Sequence, residues 1–170
     1  MNPLPSAAVS FDSARFREVL GHYPTGVTVV TGLAPGGQPV GLAIGSFTSV
    51  SLDPPLVSFC PDASSSSWPS IKDAGAFCVN VLADDQQDVC GTFAGKSDDK
   101  FADVKWTPSE LTGAPRIHGS VAWIDCEIVA EHEAGDHWIV VGRVIDLDVD
   151  RPDVGPLLFF KGGYGRWGPG

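Results

Sequence analysis

Short runs of apolar and β-branched residues follow one another along most of the chain, and turn residues separate them. Runs at residues 25–33, 40–52 and 76–83 are bounded by glycine, proline or aspartate, which is typical of β-strands. The first two flank the turn "APGGQP" and predict a hairpin. A further run, "LVSFCP", predicts a short buried strand at residues 56–61.

The last third of the chain predicts two long strands and a closing one. "SVAWIDCEIVAEHE" and "DHWIVVGRVIDLDVD" are joined around Ala134-Gly135, and "LLFFKGG" predicts the closing strand. With Ala134-Gly135 as a two-residue loop, the expected cross-strand pairs are His132 with His137, Ala130 with Ile139, Ile128 with Val141, and Cys126 with Arg143. Both histidines are then expected at the rim of a barrel, where ligands are commonly accepted.

Helical spacing is confined to short segments. Residues 11–21 predict a helix with Asp12 or Ser13 as its N-cap and Gly21 as its stop. "WPSIKDAG" predicts a second short helix, with its proline in the first turn and its glycine near the end. These helices are too short to form a bundle, so they are expected at the periphery of a β structure.

The middle of the chain gives weaker signals. "DDQQDVCGTFAG" predicts a third helix, capped by Asp84 or Asp85, and residues 96–119 predict mostly loop. Hairpin-connected strands with helices only as short insertions indicate a mainly β chain. The expected architecture is an antiparallel barrel with a few short peripheral helices.

Composition narrows the class of protein. A length of 170 residues suits one domain, taken to span residues 1–170 with residues 1–10 as a flexible tail. A formal net charge of -10 argues against a nucleic-acid partner, because lysine and arginine must neutralise phosphates. No apolar run approaches the ~18 to 20 residues that span a bilayer, and no signal peptide opens the chain, so no membrane association and a cytoplasmic location are expected.

Several common chemistries lack their motifs. The chain has no G-x-S-x-G elbow, no P-loop and no G-x-G-x-x-G that opens a helix after a strand. The cysteines, at positions 60, 78, 90 and 126, form no C-x-x-C pair, so neither a zinc site nor a redox dithiol is expected. His132 and His137 could share a metal if a third ligand lay on their face, but the adjacent carboxylates point to the other face, so no metal site is expected.

Two polar stretches are candidates for ligand binding. The serines of residues 64–67 precede a predicted helix, so hydroxyls and free amides converge where a phosphate would fit, although a plain helix cap would leave the same pattern. In "GSFTSVS", the side chains of Ser46, Thr48 and Ser49 are either surface groups or donors along the edge of a planar heteroaromatic ring. The residues alone leave both alternatives open.

An ordered set of motifs goes further. "VLGHYPTGVTVVT", "GSFTSVSLDPPLVSF", "SSSSWPSI", "FCVNVL", "FAGKSDDKF", "GDHWIVVGRV" and "LLFFKGGYG" resemble, in order and spacing, the short-chain flavin reductase family. This resemblance implies an antiparallel Greek-key split barrel that binds FMN, with few helices. It also implies a homodimer that uses NADH or NADPH to reduce FMN or FAD and releases the reduced flavin to a separate oxygenase.

The resemblance assigns roles to particular residues. The segment that would line the isoalloxazine ring contributes Ala43, Ser46, Phe47, Thr48, Ser49 and Val50. The loop near the ribityl phosphate contributes Ser64, Ser65 and Ser66, and the segment that closes over the flavin contributes Phe93 and Lys100. His137, in the family's G-D-H motif, and Tyr164 would contact and position the nicotinamide nucleotide.

Two features leave the function partly open. Relatives often carry a lysine or arginine in the serine loop, where this chain has only serines, so tight and transient flavin binding are both compatible with the sequence. NADH is favoured over NADPH only by the lack of an arginine cluster near His137. The alternatives are a non-catalytic split barrel that carries or senses flavin or haem, and a flavoenzyme that keeps its FMN and reduces its own substrate.

Overall fold

The computed structural model describes residues 10–97 and 99–168. Its helices are α1 (Ser13–Leu20), α2 (Trp68–Ala74) and α3 (Gln87–Ala94). Its strands are β1 (Thr25–Gly26), β2 (Thr28–Leu33), β3 (Pro39–Ile44), β4 (Thr48–Leu52), β5 (Pro55–Phe59), β6 (Ala76–Val81), β7 (Trp106–Pro108), β8 (Pro115–Ile117), β9 (Ala122–Ala134), β10 (His137–Val149), β11 (Leu157–Phe160) and β12 (Gly163–Arg166). The predicted tail at residues 1–10 lies, apart from Ser10, outside the described residues.

The fold is mainly β, as predicted. Strands make up 46% and helices 15% of the structure, and every strand pair is antiparallel. The main sheet has seven strands in the order β3-β2-β6-β9-β10-β5-β4, and β1, β11 and β12 form a separate sheet. Within the described ranges, no helix is long and apolar enough to cross a membrane.

The connection between β3 and β4 forces the main sheet to curl. These strands form the two opposite edges of the seven-stranded sheet, yet only residues 45–47 separate them in sequence. A flat sheet of that width would hold its edges about 29 Å apart, since neighbouring strands lie about 4.8 Å apart. Four Cα steps span at most about 15 Å. The edges must therefore approach each other, which gives a barrel that is split between β3 and β4.

Aromatic side chains fill the barrel and fix α2 against it. Phe59 of β5 packs edge-on against Trp68 of α2 at 5.5 Å and against Phe77 of β6 at 5.1 Å between ring centroids. Ile71, on the same face of α2, is fully buried. These contacts hold the N-terminal end of α2, and the serine run before it, close to the barrel wall.

Helix α3 approaches β3 closely because Gly41 has no side chain. A Cβ built at Gly41 would lie 2.7 Å from the ring of Phe93, which is buried at 1% exposure. Phe93 in turn packs edge-on against Phe101 at 5.0 Å. The C-terminal end of α3 is thus held against the split edge of the barrel.

The long hairpin was predicted correctly, but its register was not. Gly135-Asp136 forms the two-residue loop, so His137 pairs with Ala134 and His132 pairs with Ile139. Ala130 pairs with Val141, Ile128 with Gly142, and Cys126 with Val144, past a β-bulge after Val141. The position of the loop is set by Gly135, because its φ of +70° suits the first central position of a type II′ turn. The two histidines are therefore not opposed, and the shared-metal alternative loses the pairing on which it rested.

Three further boundaries differ from the sequence-based expectation. The run at residues 40–52 is not one strand, since β3 pairs with β2 while β4 crosses to pair with β5. Helix α3 has Gln86 at its N-cap instead of Asp84 or Asp85, because Asp85 forms an ion pair with Arg151. The segment 96–119 is mostly loop, as predicted, but it also contains the short pair β7-β8.

Alanine substitutions at two glycines with room for a methyl group show how much stability depends on backbone conformation at a helix end. Gly75 ends α2 with φ of +73°, and nothing lies within 4 Å of a Cβ built there or at Gly91, inside α3. Gly75→Ala is expected to lower the free energy of unfolding by roughly 1–2 kcal/mol, because an L-residue is strained at positive φ. Gly91→Ala, the matched control, is expected to raise it by roughly 0.5–1 kcal/mol. Urea unfolding of both variants measures the difference, and equal effects would contradict this account.

Candidate active site

A cavity of about 670 Å³ opens at the split edge of the barrel. Its walls are residues 42–46 of β3 and the following link, Cys60 and Asp62 after β5, the serine run 64–67, residues 93–96 at the end of α3, Lys100, and His137. Small-molecule and cofactor sites usually enclose roughly 300–1,000 Å³, so a cofactor-sized ligand fits. The cavity brings together these predicted site residues: Ala43, Ser46, Ser64, Ser65, Ser66, Phe93, Lys100 and His137.

The backbone of β3 offers polar groups to this cavity. As an edge strand of the main sheet, β3 pairs with β2 on one side only. Alternate N–H and C=O groups of such a strand point away from its neighbour. The split edge thus presents donors and acceptors in a row, which suits the polar edge of a planar heteroaromatic ring.

Ser46 ties the link between the barrel edges to the end of β5. Its hydroxyl accepts a hydrogen bond from the backbone N–H of Cys60 at 2.8 Å and donates to the Cys60 carbonyl at 3.4 Å. This pair of bonds holds the link next to residue 60 at the cavity wall. Ser46 therefore shapes the cavity, and its predicted contact with a flavin ring stays a prediction.

The serine run is attached to the turn of the long hairpin. The N–H of Ala63 donates to the carbonyl of Asp136 at 2.9 Å, and the N–H of Trp138 donates to the carbonyl of Pro61 at 3.0 Å. Between these bonds, Asp62 and His137 pair as an isolated antiparallel bridge. The hairpin turn and the start of the serine run therefore form one wall of the cavity.

The far end of the serine run is fixed by Trp68. Its indole N–H donates to the carboxylate of Glu131 at 2.8 Å, and the indole is buried at 2% exposure. Glu131 also pairs with Lys72, whose ammonium lies 5.0 Å from the centre of the Trp138 ring. Helix α2 is thereby fastened to both long strands, so the serine run is held at both ends.

Asp62 binds the first serine of the run. One carboxylate oxygen, Oδ1, accepts hydrogen bonds from the N–H of Ser64 at 2.7 Å and from its hydroxyl at 2.6 Å. These bonds lower the pKa of the Asp62 carboxyl, with a smaller contribution from the nearby His137. The loop thus already contains a negative charge beside donors that were predicted for a phosphate.

Lys100 supplies positive charge and braces the opposite wall. Its ammonium donates to the carbonyls of Phe93, at 3.0 Å, and Gly41, at 3.4 Å, so it joins the last turn of α3 to β3. Burial lowers the pKa of Lys100. Lys96, which lines the same cavity, adds a second cation. The two lysines thus bring positive charge to this cavity in a protein whose net charge is strongly negative.

His137 is oriented by its neighbour in the turn. Its Nδ1 lies 2.8 Å from the Asp136 carboxylate, which favours a proton on Nδ1 and leaves Nε2 for another partner. The side chain is 43% exposed and lines the cavity. The arrangement suits a positioning contact with a ligand that enters from the solvent.

The remaining predicted residues lie elsewhere. Phe47 and Thr48 line a neighbouring cavity of about 510 Å³ beside Tyr23, which shares Gly45 and Ser46 with the main one. Ser49 and Val50 lie on β4, where Val50 is 53% exposed. The flavin contacts predicted for these residues stay predictions.

Tyr164 lies in a third cavity beside Asp84 and Arg166, and its hydroxyl is 3.2 Å from the Cys90 sulfur. The structure therefore does not bring Tyr164 together with His137, and its nicotinamide contact stays a prediction.

Cys60, Asp62 and Lys96 line the main cavity and were not predicted as site residues. Two local signals were present in the sequence. An aspartate two residues before a serine is typical of a turn that such a side chain stabilises. Lys96 stands in the same "FAGKSDDKF" segment as Lys100, in the part that leaves the end of α3.

Comparison with known proteins identifies the family. A family model described as "Flavin reductase like domain" matches residues 20–168. A flavin reductase of Pseudomonas putida is 55% identical over 156 residues, 92% of this chain and 91% of that protein. The reductase subunit HsaB of a flavin-dependent monooxygenase from Rhodococcus jostii is 49% identical over 158 residues, 93% of this chain and 80% of that protein.

A solved structure agrees with these relatives. An NADH:FAD oxidoreductase from Streptomyces globisporus, in complex with NAD and FAD fragments, superposes with a TM-score of 0.87 at 39% identity. The match covers 93% of this chain and 94% of that one. The fold is therefore that of a split-barrel reductase. The chain belongs to the flavin reductase-like domain family, as its motifs predicted.

Proposed function

We propose that this protein transfers hydride from NADH to FMN or FAD in the cavity at the split edge of the barrel and then releases the reduced flavin. The observation that carries the proposal is the cavity itself, which joins the edge of β3, the serine run, the end of α3 and His137. Relatives at 39% and 42% identity bear the names flavin reductase (NADH) and FMN reductase (NADH), which agrees with the predicted enzyme class and cofactors.

The cavity residues fit a flavin in size and chemistry. Residues 43–46 would hold the ring system through the free backbone groups of β3. Ser65 and Ser66, with the cations Lys96 and Lys100, would hold the phosphate end, because hydroxyls, amides and ammonium groups are the donors that phosphate requires. Phe93 is almost fully buried, so it supports the wall from behind.

The protein contributes to the reaction mainly by orienting the flavin and the nicotinamide, and less by acid-base chemistry. When both are bound, flavin supplies the hydride acceptor and reduced nicotinamide the donor. The protein's share is to hold two planar groups at reacting distance, which converts a bimolecular encounter into an oriented one. The hairpin turn holds His137 at the mouth, and Asp136 orients its ring, so Nε2 is available to a polar group of the dinucleotide. This accounts for activity without a catalytic triad.

One assay tests the function directly. Purified protein with NADH and FMN is expected to show FMN-dependent loss of absorbance at 340 nm, with FAD as a second acceptor and NADPH as a second donor. No flavin-dependent rate with either nicotinamide would contradict the proposal. Flavin binding without turnover would indicate a carrier or sensor, and flavin that stays bound through dialysis would indicate a flavoenzyme that keeps its cofactor.

The histidines of the long hairpin form a matched pair for a second test. His137 lines the cavity, whereas His132, on the neighbouring strand, pairs with Ile139 on the exposed surface. His137→Ala is expected to raise the KM for NADH roughly three- to tenfold, the effect of one lost hydrogen bond, with the flavin Kd unchanged. His132→Ala is expected to keep both values. Steady-state kinetics and flavin titrations measure the two variants, and an unchanged KM for NADH in His137→Ala would refute the role.

The proposed recipient of the reduced flavin is a separate oxygenase. Relatives of this chain are reductase subunits of flavin-dependent monooxygenases, which supports such a partner. A reductase that serves another enzyme must bind flavin weakly enough to release it. A serine run without lysine or arginine agrees with that requirement. The cytoplasmic location expected from the sequence stays a prediction.

We also propose that the protein is a homodimer, with α1 in the interface. Phe16, Val19 and Leu20 of α1 are each about half exposed, and no residue of this helix is buried. A helix this short is unstable without a packing partner. Leu52, at the end of β4, is another uncovered apolar side chain, with 94% exposure.

Light scattering after size exclusion tests the dimer. The expected mass is twice the 17.9 kDa of the chain, and Leu20→Glu is expected to shift it toward the monomer by placing a charge on the apolar surface. Glu18→Gln, a change on the polar side of the same helix, is the control. A monomeric wild-type protein would contradict the proposal.

A further inference from the structure

We propose that Asp62 is a specificity-determining residue that weakens the binding of phosphorylated flavins by competing with their phosphate for the serine run. The inference rests on the proposed function. It makes Asp62 a part of the loop that keeps flavin exchangeable, which is what a reductase that hands its product to another enzyme requires.

The competition follows from the hydrogen bonds of the loop. Two donors of Ser64, the backbone N–H and the hydroxyl, point to the same carboxylate oxygen of Asp62, at 2.7 and 2.6 Å. The N–H of Ser65 donates to the Asp62 carbonyl at 3.0 Å. Donors at the start of the run, which a phosphate would otherwise use, are therefore satisfied by Asp62 itself.

The position of Asp62 is fixed by backbone contacts on both sides. The flanking bonds from Ala63 to Asp136 and from Trp138 to Pro61 hold residue 62 against the hairpin turn. The carboxylate is exposed, and the two bonds from Ser64 hold it in the wall of the cavity. The hydrogen bonds from Ser64 lower the pKa of the carboxyl, so the charge is present at neutral pH.

The carboxylate acts on affinity in two ways. It repels a phosphate that approaches the same loop, and because the carboxylate is exposed to water, a unit charge about 4–6 Å away changes affinity by roughly three- to sixfold. When a phosphate dissociates, the carboxylate again accepts the hydrogen bonds of Ser64, so dissociation of the flavin does not leave these donors unpaired. Lys96 and Lys100, which line the same cavity, supply the attraction that keeps binding possible.

Flavins with and without phosphate separate this role from a merely structural one. Asp62→Asn keeps an acceptor oxygen for Ser64 but removes the charge. We expect the Kd for FMN to fall roughly three- to sixfold at low ionic strength, with the Kd for riboflavin unchanged within about twofold. The gain for FMN is expected to shrink toward 1 M salt, because screening weakens interactions between charges near solvent. Quenching of flavin fluorescence measures each Kd without turnover.

Two further variants complete the experiment. Asp62→Ser, which keeps a short polar side chain without charge, is expected to tighten FMN binding in the same direction. Asp73→Asn, on the exposed side of α2, is the control for a general change in charge. An unchanged or weaker affinity for FMN in both neutral variants overturns the proposal, as does an equal change for FMN and riboflavin. If wild-type protein binds neither flavin, the proposed function itself fails, an outcome distinct from the first two.

Discussion

The link between β3 and β4 is the constraint on which the rest of the structure depends. Because residues 45–47 join opposite edges of a seven-stranded sheet, the sheet has to curl, and the split lies where those edges approach. The hydroxyl of Ser46 then fastens the link to Cys60. Strand β3 pairs with β2 on one side only, and residues 42–44 of this edge strand line the cavity. The segment that closes the fold is therefore also the one proposed to hold the flavin ring.

The other wall of the cavity depends on the turn of the long hairpin. Gly135 adopts a positive φ, which makes Gly135-Asp136 the loop and places His137 at the start of β10. The turn also binds the segment around Asp62 through its backbone. A change in the turn would consequently move the histidine and the serine run together. This coupling explains how a surface hairpin takes part in building a wall of the cavity.

Much of this fold was predictable from local patterns, whereas pairing across the chain was not. Most of the strands, the long hairpin and the three helices follow from periodicity and turn residues, whereas β7, β8 and β12 were not predicted. The break after Ile44 was missed, because a run of strand-like residues does not show which edge of a sheet each half joins. The register of the hairpin was wrong by one loop position, since only the φ of Gly135 decides between two adjacent two-residue loops.

The site residues, too, were predictable where local motifs suffice and not where their positions depend on strand pairing. The serine run, Lys100 and His137, which the family motifs suggested as ligand contacts, all line one cavity. They did not reveal that Tyr164 lies beside Cys90 in another cavity, because the path of the last strands depends on their pairing with β1 and with each other. Asp62 was missed for a different reason. A turn-forming aspartate is common next to serines, and only the hydrogen-bond geometry shows that its carboxylate accepts from both donors of Ser64.

A crystal structure with FMN and NAD bound tests the central claim most directly, because that claim concerns a place in the fold. The account predicts the flavin ring along residues 43–46 at the split edge, the phosphate beside Ser65 and Ser66, and the dinucleotide within reach of His137. Flavin bound instead in the neighbouring cavity beside Tyr23 and Phe47, or in the cavity that contains Tyr164, would contradict it.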